Sequence, residues 1–136
     1  MARLHAAAFT TPAPWRAESF TALLAEPSVF ALASPCARAF VLGRALAGEA
    51  ELLTLATHPD ARRAGLARAL LQRFEAEARA RGAAEAFLEV AETNRAARAL
   101  YAQAGWREVG RRPGYYRESA TKAPVTALIL RKTLPA

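Results

Sequence analysis

The stretch from Leu53 to Leu71 has the residue order that a phosphate-binding turn requires, with a strand pattern, a turn containing Gly65 and then a helical pattern. The first N–H groups of a helix have no partner within the helix, and the helix dipole adds positive potential there. Gly65 lets a ligand approach the backbone, and Arg62, Arg63 and Arg68 add charged hydrogen-bond donors. The segment favours an anionic ligand, although an ordinary helix start with exposed arginines has the same pattern. It lacks the Lys-Ser/Thr ending of a nucleotide-binding P-loop, so ATP with Mg²⁺ is not favoured.

A carboxylate lies inside the apolar run Ala86–Val90, at Glu89. Burial disfavours the charged form of a carboxylate and raises its pKa, which suits the removal of a proton near neutral pH. Glu89 is therefore the candidate general base. An alternative stays open, because alternation places Phe87, Glu89 and Ala91 on one face of the strand, and that face is solvated if the strand lies at a sheet edge.

Short periodic segments separated by proline- and glycine-containing joints must position these residues. We predict strands over Val29–Ala33, Ala39–Ala45, Glu51–Thr57, Ala86–Val90, Trp106–Gly110 and Thr126–Leu130. The second and third of these strands flank Gly48, which predicts a hairpin. Short helices are predicted over Leu4–Phe9 and Ser19–Ala25, the second stopped before Pro27.

The longest helical pattern runs from Arg63 to Arg81 and is amphipathic. Leu66, Leu70, Leu71, Phe74 and Ala78 share one face, and Arg68, Gln72, Glu75 and Arg79 lie away from it. A second helix is predicted over Arg95–Ala104, capped by Thr93 or Asn94. This order of elements, in a chain of 136 residues, predicts a single α/β domain over residues 1–136 with a mixed sheet.

Four motifs occur together in a set order. They are Arg62-x-x-Gly65-x-Ala67 after a strand, a long amphipathic helix, Leu88-Glu89-Val90, and Asn94 followed by Leu100-Tyr101 and Gly105-Trp106. In this combination the sequence resembles the GNAT superfamily of acetyl-CoA-dependent N-acetyltransferases over roughly residues 29–132. The resemblance implies a mixed, mostly antiparallel sheet that is splayed at the acetyl-CoA site and has helices on both faces. It also implies acetyl transfer to a primary amine, with acetyl-CoA as the cosubstrate and no metal.

The resemblance further implies roles for individual residues. Glu89 would act as the general base, directly or through water, and Tyr101 would protonate the CoA thiolate. Main-chain groups of one strand would hold the pantetheine arm, and N–H groups of the following turn would hold the pyrophosphate. The residues implied to contact the cofactor are Leu55, Ala56, Thr57, Arg62, Arg63, Ala64, Gly65, Leu66, Ala67, Arg68 and Asn94. Without the resemblance, Tyr101 is an ordinary core aromatic and Asn94 a plain helix cap.

Segments near both ends of the chain look like those of one subgroup, the bacterial RimI-type enzymes, which acetylate the N-terminal alanine of a small-subunit ribosomal protein. One is Phe9 followed by Pro14-Trp15 and Phe20, and the other is Arg111-Arg112 followed by Tyr115-Tyr116. By this resemblance Trp15, Tyr115 and Tyr116 belong to the peptide-binding side. An α-amine has a reference pKa of roughly 7.7–8.0 against about 10.4 for lysine, so a peptide N-terminus needs less help from a single base.

Two departures from the family's pattern bear on this prediction. Phe9 comes almost at once, so either the usual first edge strand is missing or the start codon was placed late. The segment from Lys122 to Thr126 has no acidic residue before the last strand, where the family usually shows one. The contacts on the peptide side, and with them the acceptor, therefore stay open.

The net charge of +7 is unevenly placed, because residues 1–57 hold four arginines and four glutamates and the whole excess lies in residues 58–136. Such asymmetry suggests an anionic partner, although an arginine-rich composition would also produce it. The phosphates of CoA account for Arg62, Arg63 and Arg68 without nucleic acid. A small-molecule amine acceptor, a CoA-binding protein without catalysis and a basic nucleic-acid-binding module with stacking aromatics remain alternatives.

Three further features bear on the location of the protein. No apolar run approaches the roughly 18 residues of a membrane span, and the N-terminus lacks the apolar stretch of a signal peptide. Cys36 is the single cysteine, so it forms no internal disulfide and no thiolate metal site. We therefore expect a cytoplasmic enzyme with no membrane partner.

Overall fold

The computed structural model describes residues 21–22, 24–35, 38–58, 65–116 and 124–135. The elements are β1 (Val29–Ala33), β2 (Ala39–Leu46), β3 (Glu49–Thr57), α1 (Leu66–Ala80), β4 (Glu85–Ala91), α2 (Arg95–Gln103), β5 (Arg107–Tyr116) and β6 (Val125–Thr133). The strands form one sheet in the order β1-β2-β3-β4-β6-β5. Strands β3 and β4 run parallel, and all other neighbours are antiparallel. The predicted mixed, mostly antiparallel sheet is confirmed.

Strands β2 and β3 form the hairpin that Gly48 predicts. The turn consists of Ala47 and Gly48, with φ values of 54° and 82°. Two-residue turns with both residues at positive φ match the twist of the strands they join. Because the turn is this tight, β2 reaches Leu46 and β3 starts at Glu49, so both strands are longer than predicted.

Helix α1 covers the sheet over β1, β2 and β3. Its inner face buries Leu70, Leu71 and Phe74, as the periodicity predicts. The Phe74 ring stacks on the Phe30 ring of β1 at a centroid distance of 5.8 Å. This packing fixes the middle of α1 against β1.

Glu75 contradicts the prediction that it lies away from the buried face of α1. It is only 7% exposed, because β6 and the end of α2 pack beside α1 on that side. Lys132 of β6 reaches Glu75 with Nζ 2.7 Å from Oε1, and the same Nζ donates to the carbonyl of Ala104. The helical pattern shows which residues are polar. It does not show that a lysine on a distant strand will pair with one of these polar residues and allow it to be buried.

Helix α2 lies on the same face of the sheet as α1. Tyr101 of α2 and Trp106 belong to the same buried cluster as Phe74. The Arg68 guanidinium also donates to Gln103 of α2 at 2.8 Å. Helices on the other face of the sheet would have to come from the N-terminal segment. Residues 21, 22 and 24 of that segment are helical, and residues 1–20 lie outside the described part of the chain. The prediction of helices on both faces therefore stays a prediction.

The last two strands are longer than predicted. Strand β5 continues through Pro113 to Tyr116, because it lies at the sheet edge, where a missing backbone N–H is tolerated. Strand β6 continues through Arg131, which bridges Glu49 and Glu85 at 2.8 Å each. Among the described residues, no helix is long and apolar enough to span a membrane.

Candidate active site

Strands β3 and β4 separate part-way along their length. Their paired register covers Glu49–Leu52 and Glu85–Leu88, although β3 continues to Thr57 and β4 to Ala91. The separation begins beside a β-bulge, since Leu42 and Gly43 of β2 face Thr54 and Leu52 and leave Leu53 as the extra residue. The predicted splay of the sheet is therefore present, and the opening is called the gap below.

The residues of β3 predicted to contact a cofactor form one edge of the gap. Leu55, Ala56 and Thr57 pair with β2 on one side, and no partner on β4 is registered with them on the other. Successive backbone groups of a strand point to alternate sides, so part of this main chain is directed toward the gap. An extended ligand arm can therefore pair with β3 there.

Helix α1 follows β3 in the chain, and Gly65 is its N-cap residue. This glycine has a φ of 77°, and a Cβ placed on it would meet no atom within 4 Å. Among the described residues no side chain caps the helix, so its first N–H groups are suited to an anion. Leu66, Ala67 and Arg68 form the first turn. Arg62, Arg63 and Ala64 lie outside the described residues.

Glu89 lies beyond the paired part of β4, at the side of the gap. Its neighbours Leu88 and Val90 belong to the core beneath the helices, so the Glu89 side chain lies on the opposite face of the sheet. Strand β4 is interior and not an edge strand, and the Glu89 side chain is only 23% exposed. Arg112 of β5 forms an ion pair with it, Nη2 to Oε1, at 3.4 Å.

Glu51 is a second carboxylate on the same face, which sequence reasoning missed. It is level with Phe87 on β4, two residues before Glu89. Burial raises the pKa of Glu51 above its ordinary value; the Arg44 charge opposes this shift, the Glu89 charge adds to it, and Arg112 also opposes it. The pairing of two parallel strands brings the carboxylates together, and no local pattern reports that register.

Tyr101 approaches the sheet from the side opposite Glu89. It is 5% exposed on the inner face of α2, and its ring centroid lies 5.9 Å from that of Trp106. The two candidate catalytic residues therefore lie on opposite faces of the sheet, and the gap connects those faces. A reacting group in the gap can be approached by a base from one side and by an acid from the other.

Asn94 caps α2 directly after β4 ends. Its Oδ1 accepts a hydrogen bond from the N–H of Ala97 at 3.2 Å, so of the two predicted caps Asn94 is the one used. The cap sets where α2 begins, close to the open end of the gap. A contact between Asn94 and a cofactor stays a prediction.

The predicted peptide-binding aromatics are only partly described. Tyr115 is exposed, and the Arg112 guanidinium lies 5.2 Å from the centre of its ring. The backbone of Tyr116 pairs with Val125, and its side chain lies outside the described residues, as does Trp15. Arg112 thus links Tyr115 to Glu89 and connects the exposed end of β5 with the gap.

Comparison with known proteins identifies the family. The sequence profile of the Acetyltransferase (GNAT) family matches residues 3–106. The chain belongs to the GNAT family. Within this family the cosubstrate is acetyl-CoA.

Several GNAT proteins are similar to this chain over part or all of its length. It is 38% identical over 78 residues to the [ribosomal protein bS18]-alanine N-acetyltransferase of Escherichia coli K12. The matched residues cover 57% of this chain and 53% of that protein. The Salmonella typhimurium protein of the same name is 37% identical over the same length. The chain therefore spans about half the length of the curated relatives it matches.

Solved structures extend the similarity to the whole fold. The ribosomal-protein-S18-alanine N-acetyltransferase from Escherichia coli has a TM-score of 0.85 and 29% identity, covering 99% of this chain and 86% of that one. Ard1 from Thermoplasma volcanium also has a TM-score of 0.85, at 20% identity, covering 100% and 90%. The second match supports the GNAT fold alone.

Metal ligation is a separate property of the site. Across the described ranges, no group of three or more histidine, cysteine, aspartate or glutamate side chains is arranged to hold a metal ion. Near the gap, the described carboxylates Glu51 and Glu89 form ion pairs with Arg44 and Arg112.

Proposed function

We propose that this chain transfers the acetyl group of acetyl-CoA to the N-terminal α-amine of a protein, with the alanine terminus of a ribosomal protein as the preferred acceptor. The observation that carries the proposal is the gap between β3 and β4, with Glu89 on one face and Tyr101 on the other. The bacterial relatives are named for acetylating the alanine terminus of ribosomal protein bS18, which supports the choice of acceptor.

Acetyl-CoA supplies an acetyl group activated as a thioester. The uncapped start of α1 suits its phosphates, because the free N–H groups and Arg68 offer donors and Gly65 leaves the approach open. The main chain of Leu55, Ala56 and Thr57 suits the amide-bearing arm. Arg62, Arg63, Ala64 and Asn94 complete the proposed set of contacts.

The residues of the chain divide the proton transfers between the two faces. Glu89 accepts a proton from the acceptor amine, directly or through water, and Tyr101 donates a proton to the sulfur that leaves. The acceptor amine, once neutral, attacks the acetyl carbonyl. As the new amide bond forms, the bond between the carbonyl carbon and the sulfur breaks, CoA leaves as the thiol, and the remaining surplus proton on the nitrogen passes to solvent.

The acceptor is proposed to be an α-amine because Glu89 is the one base assigned to it, and an α-amine needs little assistance to lose a proton. An α-amine is partly neutral near pH 7, whereas a lysine side chain is almost wholly charged. Trp15, Tyr115 and Tyr116 are proposed to hold the first residues of the peptide. Because ribosomal proteins are made in the cytoplasm, the proposal includes a cytoplasmic location.

The test measures release of CoA thiol by the full chain with acetyl-CoA and a panel of short peptides that differ in their first residues. Peptides that begin with alanine should be the best acceptors. Glu89→Gln and Tyr101→Phe should each lower kcat by roughly 10²–10⁴-fold, the range for loss of a general acid or base. Glu92→Gln is the matched control, because Glu92 pairs with Arg111 outside the gap.

Two outcomes contradict the proposal in different ways. If no peptide beginning with alanine releases CoA, the proposed acceptor is wrong. If both variants turn over at the wild-type rate, the acceptor stands and the assigned roles of Glu89 and Tyr101 are wrong.

A further inference from the structure

Arg112 reaches Glu89 across an intervening strand. On β5 it pairs with Ala127 of β6, and Ala127 pairs in turn with Ala91 of β4. Two methyl side chains therefore form the surface beneath the long Arg112 side chain, with Ala127 fully buried. The Arg112 side chain extends over these two small residues, and its Nη2 lies 3.4 Å from Oε1 of Glu89.

The charges on this face of the sheet are unequally shared. Arg44 of β2 serves two carboxylates, Glu51 at 3.7 Å and Glu26 at 3.6 Å. On β6, Arg131 is committed to two other carboxylates at the far end of the sheet. Of the described cations, Arg112 is the one within ion-pair distance of Glu89. Without its charge, the two carboxylates at the gap would have only a shared arginine as a counter-charge.

We propose that Arg112 is a positioning residue that pairs with Glu89 and thereby sets the preference of the site for an α-amine over a lysine side chain. The inference rests on the proposed function and names the selectivity of the same site. Arg112 repels a charged ammonium where the acceptor meets Glu89, and it leaves a neutral amine unaffected. Its contact with the Tyr115 ring fixes the guanidinium from the peptide side.

The physical basis is the difference in charge between the two kinds of amine. At about pH 7.5, roughly a quarter to two-fifths of α-amines are neutral, against about one lysine side chain in a thousand, from their reference pKa values. Only the neutral amine reacts, so this difference in neutral fraction favours acetylation of the α-amine. A site that does not stabilise the ammonium form keeps that difference between the two rates. A site with an uncompensated carboxylate pair binds ammonium ions and loses part of it.

The experiment compares three variants. Arg112→Met removes the charge and keeps much of the length, Arg112→Lys keeps the charge, and Arg111→Met is the matched control. Arg111 is the adjacent arginine, and it pairs with Glu108 and Glu92 instead of Glu89. Circular dichroism checks the fold, and Arg112→Gln replaces Arg112→Met if that variant does not fold.

Two readouts are taken for each variant. The first is the ratio of kcat/KM for a peptide with a free N-terminal alanine to that for a blocked peptide with one lysine. The second is the affinity of the chain without acetyl-CoA for an inert probe, the same alanine peptide trimethylated at its N-terminus and therefore permanently charged. Calorimetry measures the second without any turnover.

Arg112→Met should lower the ratio about tenfold and bind the trimethylated probe about tenfold more tightly, which corresponds to ~1.4 kcal/mol. Arg112→Lys and Arg111→Met should stay close to wild type in both readouts. Wild-type values of both in Arg112→Met overturn the inference. If the wild-type chain acetylates neither peptide, the proposed function fails instead, and the probe affinities still decide whether Arg112 repels a cation.

Discussion

Gly43 of β2 lies beneath α1, where two phenyl rings leave no room for a side chain. A Cβ on this residue would lie 2.7 Å from Cζ of Phe30 and 2.7 Å from Cε1 of Phe74. Carbon atoms in contact normally lie about 3.5–4.0 Å apart, so each contact is too short by roughly 1 Å. Both rings are buried and stacked on each other, so neither can swing into solvent. Relief requires α1 to move away from the sheet.

We expect Gly43→Ala to destabilise the fold by a net 1–2 kcal/mol in round terms. Overpacking of a core costs about 1–3 kcal/mol, and the lost flexibility of glycine in the unfolded chain returns about 0.5–1 kcal/mol. For a domain of this size the net change lowers Tm by roughly 3–10 °C. Urea unfolding followed by circular dichroism measures the free energy of unfolding, and scanning calorimetry measures Tm.

Gly110→Ala is the matched control for this prediction. A Cβ at Gly110 would lie 3.4 Å from Cδ1 of Ile129, which is close to an ordinary contact. Its effect should stay within about 0.5 kcal/mol of zero. Adding Phe30→Leu to Gly43→Ala should give a favourable coupling energy of at least about 0.5 kcal/mol, because it shortens one of the two opposing rings. Equal stabilities for Gly43→Ala and Gly110→Ala would refute the steric reasoning.

Three further changes test other parts of the structure. Burial raises the pKa of Glu51 above its ordinary value. Between the ordinary pKa and the raised pKa, the folded chain binds more protons than the unfolded chain, so the contribution of Glu51 to stability falls as the pH rises through this range. Glu51→Gln should flatten that fall in urea titrations from about pH 4 to about pH 8, and an unchanged slope would contradict the assignment. Asn94→Ala removes the bond to the Ala97 N–H and should cost about 1 kcal/mol in chemical unfolding, most of which Asn94→Ser should restore. Glu75→Ala leaves Lys132 poorly compensated and should cost about 3 kcal/mol, whereas replacing both residues by methionine should come within about 1 kcal/mol of wild type; a double variant as unstable as the single one would argue against a charge effect.

The elements that sequence reasoning places well are those with local causes. Strand β1 matches its predicted bounds, the hairpin turns at Gly48, and α2 begins at an asparagine cap. Each depends on residues next to one another, such as a glycine at positive φ or a side chain that bonds a nearby N–H. The GNAT motifs extend the reasoning further, since they predict the splayed sheet before any strand pairing is known.

The features that escape the sequence depend on contacts between distant segments. The burial of Glu75 needs Lys132, which is 57 residues away. The proximity of Glu51 to Glu89 needs the parallel register of β3 and β4, which places Glu51 beside Phe87. The reach of Arg112 to Glu89 needs small residues on an intervening strand. Local periodicity carries no information about these partners, so they appear only in the folded chain.

The proposed function requires that an acetyl group in the gap is transferred to an α-amine. The most direct measurement is fragmentation mass spectrometry of one peptide that begins with alanine and contains an internal lysine, after incubation with the full chain and acetyl-CoA. One acetyl group is expected, on the fragments that contain the N-terminal amine, with little or none for Glu89→Gln. Acetylation on the lysine side chain, or no acetylation while acetyl-CoA is shown to bind, would contradict it.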